Sequence, residues 1–287
     1  MYLDGRIVDE AGAVVSVFDR GFLYGDSVYE VVRTSGGRAV DLRRHLDRLE
    51  RSAEAIGLEL PPRAEIARAI DETLVSAANA DSYVRMIVTR GSGEIGLDPA
   101  LADRPLLLVI IKPLVLPAPR LYEEGVDVAL VEVRRNPRRS LDPAVKSGNY
   151  LNNILGLRQA KARGAYECVM QNAEGWIVEG STSNLFVVRG GELLTPALTD
   201  GLLEGITRGR VMEIAAAEGH VARETHLGPE DLRAAREAFL TSSLRGVLPV
   251  TRVDGVAVGD GTPGPITRRL VAGYGRFLAE VAAGASH

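Results

Sequence analysis

The sequence predicts an α+β fold in two domains. Three observations carry this: hairpin signals crowd residues 1–40, two helical periodicities follow, and a proline-rich break near 113–125 precedes a second series of closely spaced strands. "YLDGRIV" sets Asp4-Gly5 between apolar flanks, the pattern of a tight hairpin. "SVYEVVRTSGGRAVDL" repeats the signal about Gly36-Gly37. Leu42, Leu46, Leu49, Ala53 and Ile56 recur at spacings of 4, 3, 4 and 3, which places them on one face of a helix stopped by Gly57. A second helix follows Pro61-Pro62 through Ile66, Ile70 and Leu74. "YVRMIVTR" (Tyr83–Arg90) alternates like a strand, and the unbroken run "PLLLVIIK" predicts one buried on both faces.

"PLVLPAPRLYEEG" (Pro113–Gly125), with three prolines and few helix signals, reads as an interdomain connection. The expected division is therefore a smaller N-terminal α/β domain over 1–117 and a larger C-terminal domain over 118–287. In the second, "VDVALVEVRR" reads as a strand, followed by a loop around Pro143 and a helix from about Tyr150 to Arg163. Strands "AYECVMQ", "GWIVEG" and "SNLFVV" come next, then a helix over Gly205–Gly219. "AFLTSSLRGVLPVTRVDG" reads as two strands about a loop, and "GPITRRLVAGYGRFLAEVAAG" as a terminal helix.

Composition narrows the function classes. At 46% hydrophobic and 25% charged, the chain of 287 residues has the make-up of a soluble globular protein. A net charge of −4, with arginines dispersed among acids, gives no nucleic-acid footprint. The longest apolar run, Pro105–Pro117, is too short for a membrane span and is broken by Lys112 and Pro113. "MYLDGRIVDEAG" has neither a basic n-region nor an apolar h-region, and Cys168 is the only cysteine, so a cytoplasmic protein is expected. His45, His220, His226 and His287 lack metal-site spacing.

One residue type is out of proportion. Of 34 basic residues only Lys112, Lys146 and Lys161 are lysine. A lysine amine can lose its proton and attack a carbonyl, which arginine cannot do. Lys146 lies in "DPAVKSGNYLNN", and other features of the second half accompany it. Glu179 ends a strand before the small-residue turn of "VEGSTSNLF"; alone, it would read as a solvated turn acid. Ile206 and Thr207 open the helix of "EGITRGR", where free N–H groups favour an anion, although an ordinary helix start looks the same. "TSSLRG" offers hydroxyls in a loop.

Lysine, acid and helix start in this order resemble the fold type IV family of pyridoxal-phosphate enzymes, which includes branched-chain and D-amino acid aminotransferases and aminodeoxychorismate lyases. The resemblance runs from "FDRGFLYGDSVYEVVR" through "HLDRLERSA", "KSGNYLNNIL", "VEGSTSNLFVV" and "GITR" to "VDGVAVGDGTPGPITRRL". It implies a larger C-terminal domain with a β-barrel-like core and pyridoxal 5'-phosphate as cofactor. Lys146 would hold the cofactor covalently and move the substrate proton. Glu179 would face the pyridine nitrogen, and Tyr150 the ring oxygen. Arg48 would bind the phosphate, with Ile206, Thr207 and Ser243. The resemblance further implies a homodimer acting on an amino acid and a 2-oxo acid.

On the substrate side it is similar to more than one member. Tyr24, Tyr29, Val31 and Arg33 look like the family's substrate-pocket strand, closer there to the D-amino acid enzymes. Arg90 stands where those enzymes place a carboxylate-binding arginine, but Ser92 replaces their histidine. "GNYLNN" and "VDGVAVGDGTPGPIT" look branched-chain-like. Leu244 and Arg245 lie in "SSLRGVLPV", which is similar to the lyases' loop. The expectation is a transaminase for branched-chain or D-amino acids, with (R)-amines open. A lyase is the alternative, weakened by Val31 where a threonine would be needed. A non-catalytic scaffold would be expected to have lost Lys146 or Glu179, and both are present.

Overall fold

A computed structural model describes residues 1–285; His287, counted among the histidines above, lies outside the described residues. The chain divides into two compact units. One comprises Met1–Val115, Val145–Asn149 and the chain from Leu278 on; the other comprises Leu116–Ala144 and Tyr150–Phe277. The first break falls close to the expected one, but the segment carrying Lys146 belongs with the first unit rather than the second.

The first unit contains β1 (Tyr2–Leu3), β2 (Arg6–Ile7), α1 (Arg20–Tyr24), β3 (Ser27–Ser35), β4 (Arg38–Ala39), α2 (Leu42–Ala55), α3 (Arg63–Ala77), β5 (Ser82–Thr89) and β6 (Leu106–Pro113). Its strands form an antiparallel sheet in the order β2-β1-β6-β5-β3-β4. Asp4 and Gly5 both take positive φ, 44° and 88°, as the predicted tight turn requires. The apolar faces of α2 and α3 cover one side of this sheet, where Val28, Val32, Leu49, Ile66, Ile70, Met86 and Val109 are buried. The helices cover only that side. β6 therefore alternates, with Leu107, Val109 and Ile111 in the core and Leu106, Leu108 and Ile110 half-buried; it is not a strand buried on both faces.

The second unit opens with a short helix α4 (Arg120–Glu124) inside the supposed connection, started at Pro119. It continues with β7 (Val126–Arg134), α5 (Leu151–Ala162), β8 (Glu167–Gln171), β9 (Ile177–Glu179), β10 (Asn184–Arg189) and β11 (Glu192–Pro196). Then come α6 (Ile206–Ala217), β12 (Ala222–Thr225), α7 (Pro229–Arg233), β13 (Glu237–Ser242), β14 (Gly246–Val253), β15 (Val256–Ala257) and α8 (Pro265–Ala282), whose final turn is grouped with the first unit. Neighbouring strands run β10-β13-β14-β7-β8-β9, and β9 pairs back onto β10 through Glu179 and Asn184, so the sheet closes into a barrel. Val128, Val169, Ile177, Leu185, Leu240, Leu248 and Val250 are buried together. Among the described residues no helix is long and apolar enough to cross a membrane.

Candidate active site

Lys146 is fixed by its backbone. The Tyr29 N–H donates to the Lys146 carbonyl at 3.0 Å, and the Gly148 N–H to the Ser27 carbonyl at 2.9 Å. The Lys146 N–H donates to Ser52 Oγ at 3.1 Å. Residues 145–149 thus lie along the start of β3. The amine is left beside the Tyr29 ring, with Nζ 4.6 Å from its centroid. Arg85 of β5 approaches the same ring, its guanidinium carbon 4.2 Å away. Tyr29 and Arg85 are diagonal neighbours, because Val31 pairs with Arg85 and Tyr29 with Ile87. Alternation along β3 gives Tyr29, Val31 and Arg33 one face and Val28, Glu30 and Val32 the other, the core face. Tyr24 is not on this strand. It is the last residue of α1, with the Arg20 guanidinium 5.1 Å from its ring centroid and its hydroxyl accepting from the Gly96 N–H.

Beneath that face lies a buried charge cluster. Glu30 is fully buried, and Arg48 of α2 donates Nε to its Oε1 at 2.6 Å and Nη2 to its Oε2 at 2.8 Å. His45 Nδ1 sits 2.7 Å from Oε2; an ionised carboxylate only accepts, so that nitrogen carries the hydrogen. Burial pushes the Glu30 carboxyl up, but Arg48 and His45 outweigh it and hold the group far below its ordinary range. Burial likewise lowers the His45 imidazole. Arg48, expected as a two-pronged phosphate clamp, therefore gives its Nε/Nη2 edge to Glu30.

Arg90 is committed elsewhere. It donates Nε and Nη2 to the Asp26 carboxylate at 2.7 and 3.1 Å, Nη1 to the Gly57 carbonyl and Nη2 to the Ile56 carbonyl. An incoming carboxylate would have to displace Asp26.

In the second unit Glu179 ends β9 and is buried. Arg135 Nε donates to its Oε1 at 2.7 Å, and the Leu203 N–H to its Oε2 at 3.1 Å. Arg135 is itself braced by Asn152 Oδ1 at 3.0 Å. Beyond Leu203 the chain enters α6 through Gly205, so no side chain caps the helix that begins at Ile206 and Thr207. A Cβ at Gly205 would lie 1.9 Å from Asn184 Oδ1, so a larger residue here would have to push the Asn184 amide aside. Tyr150 is the residue preceding α5, half-buried. Ser243, Leu244 and Arg245 form the half-buried turn between β13 and β14. Arg245 spreads over Ser242 Oγ, Thr182 Oγ1 and, at 3.4 Å, Glu167 Oε2. Glu167 is buried and also takes the Ser181 N–H and hydroxyl, which fixes the turn after Glu179.

Glu30, His45, Arg85, Arg135 and Leu203 were not singled out from sequence. Glu30 could have been: alternation along β3 sends it to the apolar face with Val28 and Val32, where a carboxylate needs a buried partner. Arg135 carries no local signal.

Within the second unit, the buried carboxylate of Glu179 suits a pyridine nitrogen and the uncapped helix start at Ile206 and Thr207 suits a phosphate; in the first, the amine of Lys146 is a group that condenses with an aldehyde. Residues 27–253 match the family model for amino-transferase class IV. The chain belongs to this family and is a pyridoxal-phosphate-dependent aminotransferase of fold type IV. A Methanocaldococcus jannaschii protein that carries the provisional name branched-chain-amino-acid aminotransferase is 40% identical, over 94% of this chain and 93% of its own. The D-alanine aminotransferase of Listeria innocua is 34% identical, over 97% of this chain and 95% of its own. The crystal structure of the Thermoproteus uzoniensis branched-chain aminotransferase with norvaline superimposes with a TM-score of 0.90 at 37% identity, covering 96% of this chain and 93% of that one.

Proposed function

We propose that this aminotransferase takes branched-chain aliphatic amino acids as donors and passes the amino group to a 2-oxo acid. The commitment of Arg90 to Asp26 carries the choice, because the D-amino acid reading, which also drew on the Tyr29–Arg33 strand, gave Arg90 the substrate carboxylate. Similarity to the Methanocaldococcus and Thermoproteus proteins supports it. The lyase alternative gains nothing from these relatives.

Pyridoxal phosphate, when bound, supplies an aldehyde for amines and a ring that takes up the electron pair left when a Cα proton departs. Lys146 is proposed to hold it and, once displaced by the substrate amine, to carry the proton at Nζ. Glu179, held in place by Arg135, would face the ring nitrogen. Ile206, Thr207, Ser243 and Arg48 would bind the phosphate. Tyr150 would meet the ring oxygen. Arg85, beside Tyr29, is proposed to receive a substrate carboxylate; Arg33 lines the same face. The exposed apolar side chains of Val14, Val17, Phe18 and Phe22, and separately of Leu151 and Ile154, fit a surface covered by a second copy, so the working form is proposed to be a homodimer. A cytoplasmic setting agrees with a single, buried cysteine.

The test is spectral. L-leucine should bleach the visible band of the yellow holoenzyme faster than D-alanine or (R)-1-phenylethylamine. Faster bleaching by D-alanine would reverse the donor assignment, and no colour with added pyridoxal phosphate would remove the reading altogether.

A further inference from the structure

Two short segments converge on Glu179, and both are tied together again at their other ends. One is the chain from Trp176 into β9; the other runs from Asp200 to Leu203, whose N–H rests on Glu179 Oε2. At the far ends Asn172 spans them. Its Oδ1 accepts from the Trp176 N–H at 2.9 Å and its Nδ2 donates to the Asp200 carbonyl at 3.0 Å. His226 closes the same gap from a third segment. Its Nδ1 lies 2.6 Å from Asp200 Oδ1, and its ring stacks on Trp176 with centroids 5.4 Å apart. The next residue, Leu227, accepts from the Ile177 N–H at 2.7 Å.

Asp200 is an expensive choice for this place. Its side chain is 3% exposed, and Oδ2 is buried without a hydrogen-bond partner among the described residues. Burial raises its carboxyl, with His226 opposing. The return is geometric: a short helical turn ends at Asp200, and Gly201, at a φ of 88°, redirects the chain towards Leu203. Apart from His226, the side chains that hold this turn are Asn172, on the Asp200 carbonyl, and Asn184, whose Nδ2 donates to the Leu203 carbonyl at 2.9 Å; neither of them holds the Asp200 carboxylate itself.

We propose that Asp200 and His226 are positioning residues for Glu179: by locking the 200–203 turn against the start of β9, they hold the Leu203 N–H on the carboxylate and so set its direction. The inference rests on the reading that Glu179 faces the cofactor. Neither residue touches the reacting atoms.

The test uses the holoenzyme variants Asp200→Ala, Asp200→Asn and His226→Phe, the last keeping the stack on Trp176, with Glu179→Gln as reference. The expected result is a shift of roughly half a unit or more in the pH midpoint of the bound cofactor's visible band for Asp200→Ala and His226→Phe. With it, kcat should fall roughly three- to tenfold at unchanged KM. Asp200→Asn, which still accepts from His226, should recover most of both. If Asp200→Ala does not fold, His226→Phe carries the same comparison. Folded variants whose band midpoint stays at the wild-type value, while that of Glu179→Gln moves, overturn the inference. A Glu179→Gln midpoint that does not move removes the reading of Glu179, and this inference with it.

Discussion

Arg48 lays one edge of its guanidinium along both oxygens of Glu30, at 2.6 and 2.8 Å, in the interior between β3 and α2. The pair, with His45, ties the strand that supports Lys146 to the helix that carries Ser52. Removing one partner strands the other, so Glu30→Gln should cost roughly 3–5 kcal/mol. The pH dependence has a defined sign. The Glu30 carboxyl ordinarily titrates near 4.5 and in the fold is held far below that. Its contribution is complete above the ordinary value and is lost as pH falls towards the folded one, by about 1.4 kcal/mol per pH unit. Urea midpoints of wild type and Glu30→Gln should therefore differ widely at neutrality and draw steadily closer as pH falls below the ordinary carboxylate range.

Arg90→Leu should behave as a stability variant. It leaves the Gly57 and Ile56 carbonyls without this donor and Asp26 with Arg20 as its remaining guanidinium, at roughly 2–4 kcal/mol. Melting temperature should fall, while KM for the amino donor measured well below the transition changes less than about threefold. A large, selective rise in KM would return Arg90 to the substrate.

Arg85→Gln should do the reverse. The half-buried guanidinium neighbours the ring that Lys146 touches. Stability should change by less than about 1 kcal/mol, while KM for the carboxylate substrates rises roughly tenfold or more. Steady-state kinetics beside a melting curve separate the two effects.

Lys146→Arg keeps the charge and loses the nucleophile. The purified variant should lack the visible band and lose turnover by about four orders of magnitude. Retained 2-oxo-acid-dependent activity would move the chemistry to another residue.

Gly205→Ala forces a methyl group against Asn184 Oδ1 at the entry to α6. The helix start should shift, costing about 1–3 kcal/mol. Affinity for pyridoxal phosphate, followed by fluorescence titration, should weaken roughly tenfold.

Local chemistry made much of this fold legible. Asp4-Gly5 and Gly36-Gly37 announce their turns because positive φ restricts the residues that fit, and Leu42 to Ile56 announce α2 because one face must be buried. The short α4 and the exposed β12 were missed, since neither presents an apolar period. Lys146, Glu179 and Thr207 stood out as a combination of residue types. Arg135 and Leu203 did not, because their meaning is a contact with Glu179 from distant parts of the chain, and a main-chain N–H such as that of Leu203 leaves no mark in the residue type. Arg90 is a different case: its position suggested a ligand, and its partner Asp26 lay outside the pattern being read.

The backbone of residues 145–149 runs along β3, and the last turn of α8 also belongs with the first unit. This has a consequence for how the chain is made. The N-terminal stretch cannot finish folding as it leaves the ribosome, because two of its pieces are synthesised much later. A fragment ending at Val115 would keep α2, α3 and the sheet but lack the lysine segment. Pulse-labelled hydrogen exchange during refolding should find the amides of Tyr29 and Gly148 protected after those of β5 and β6.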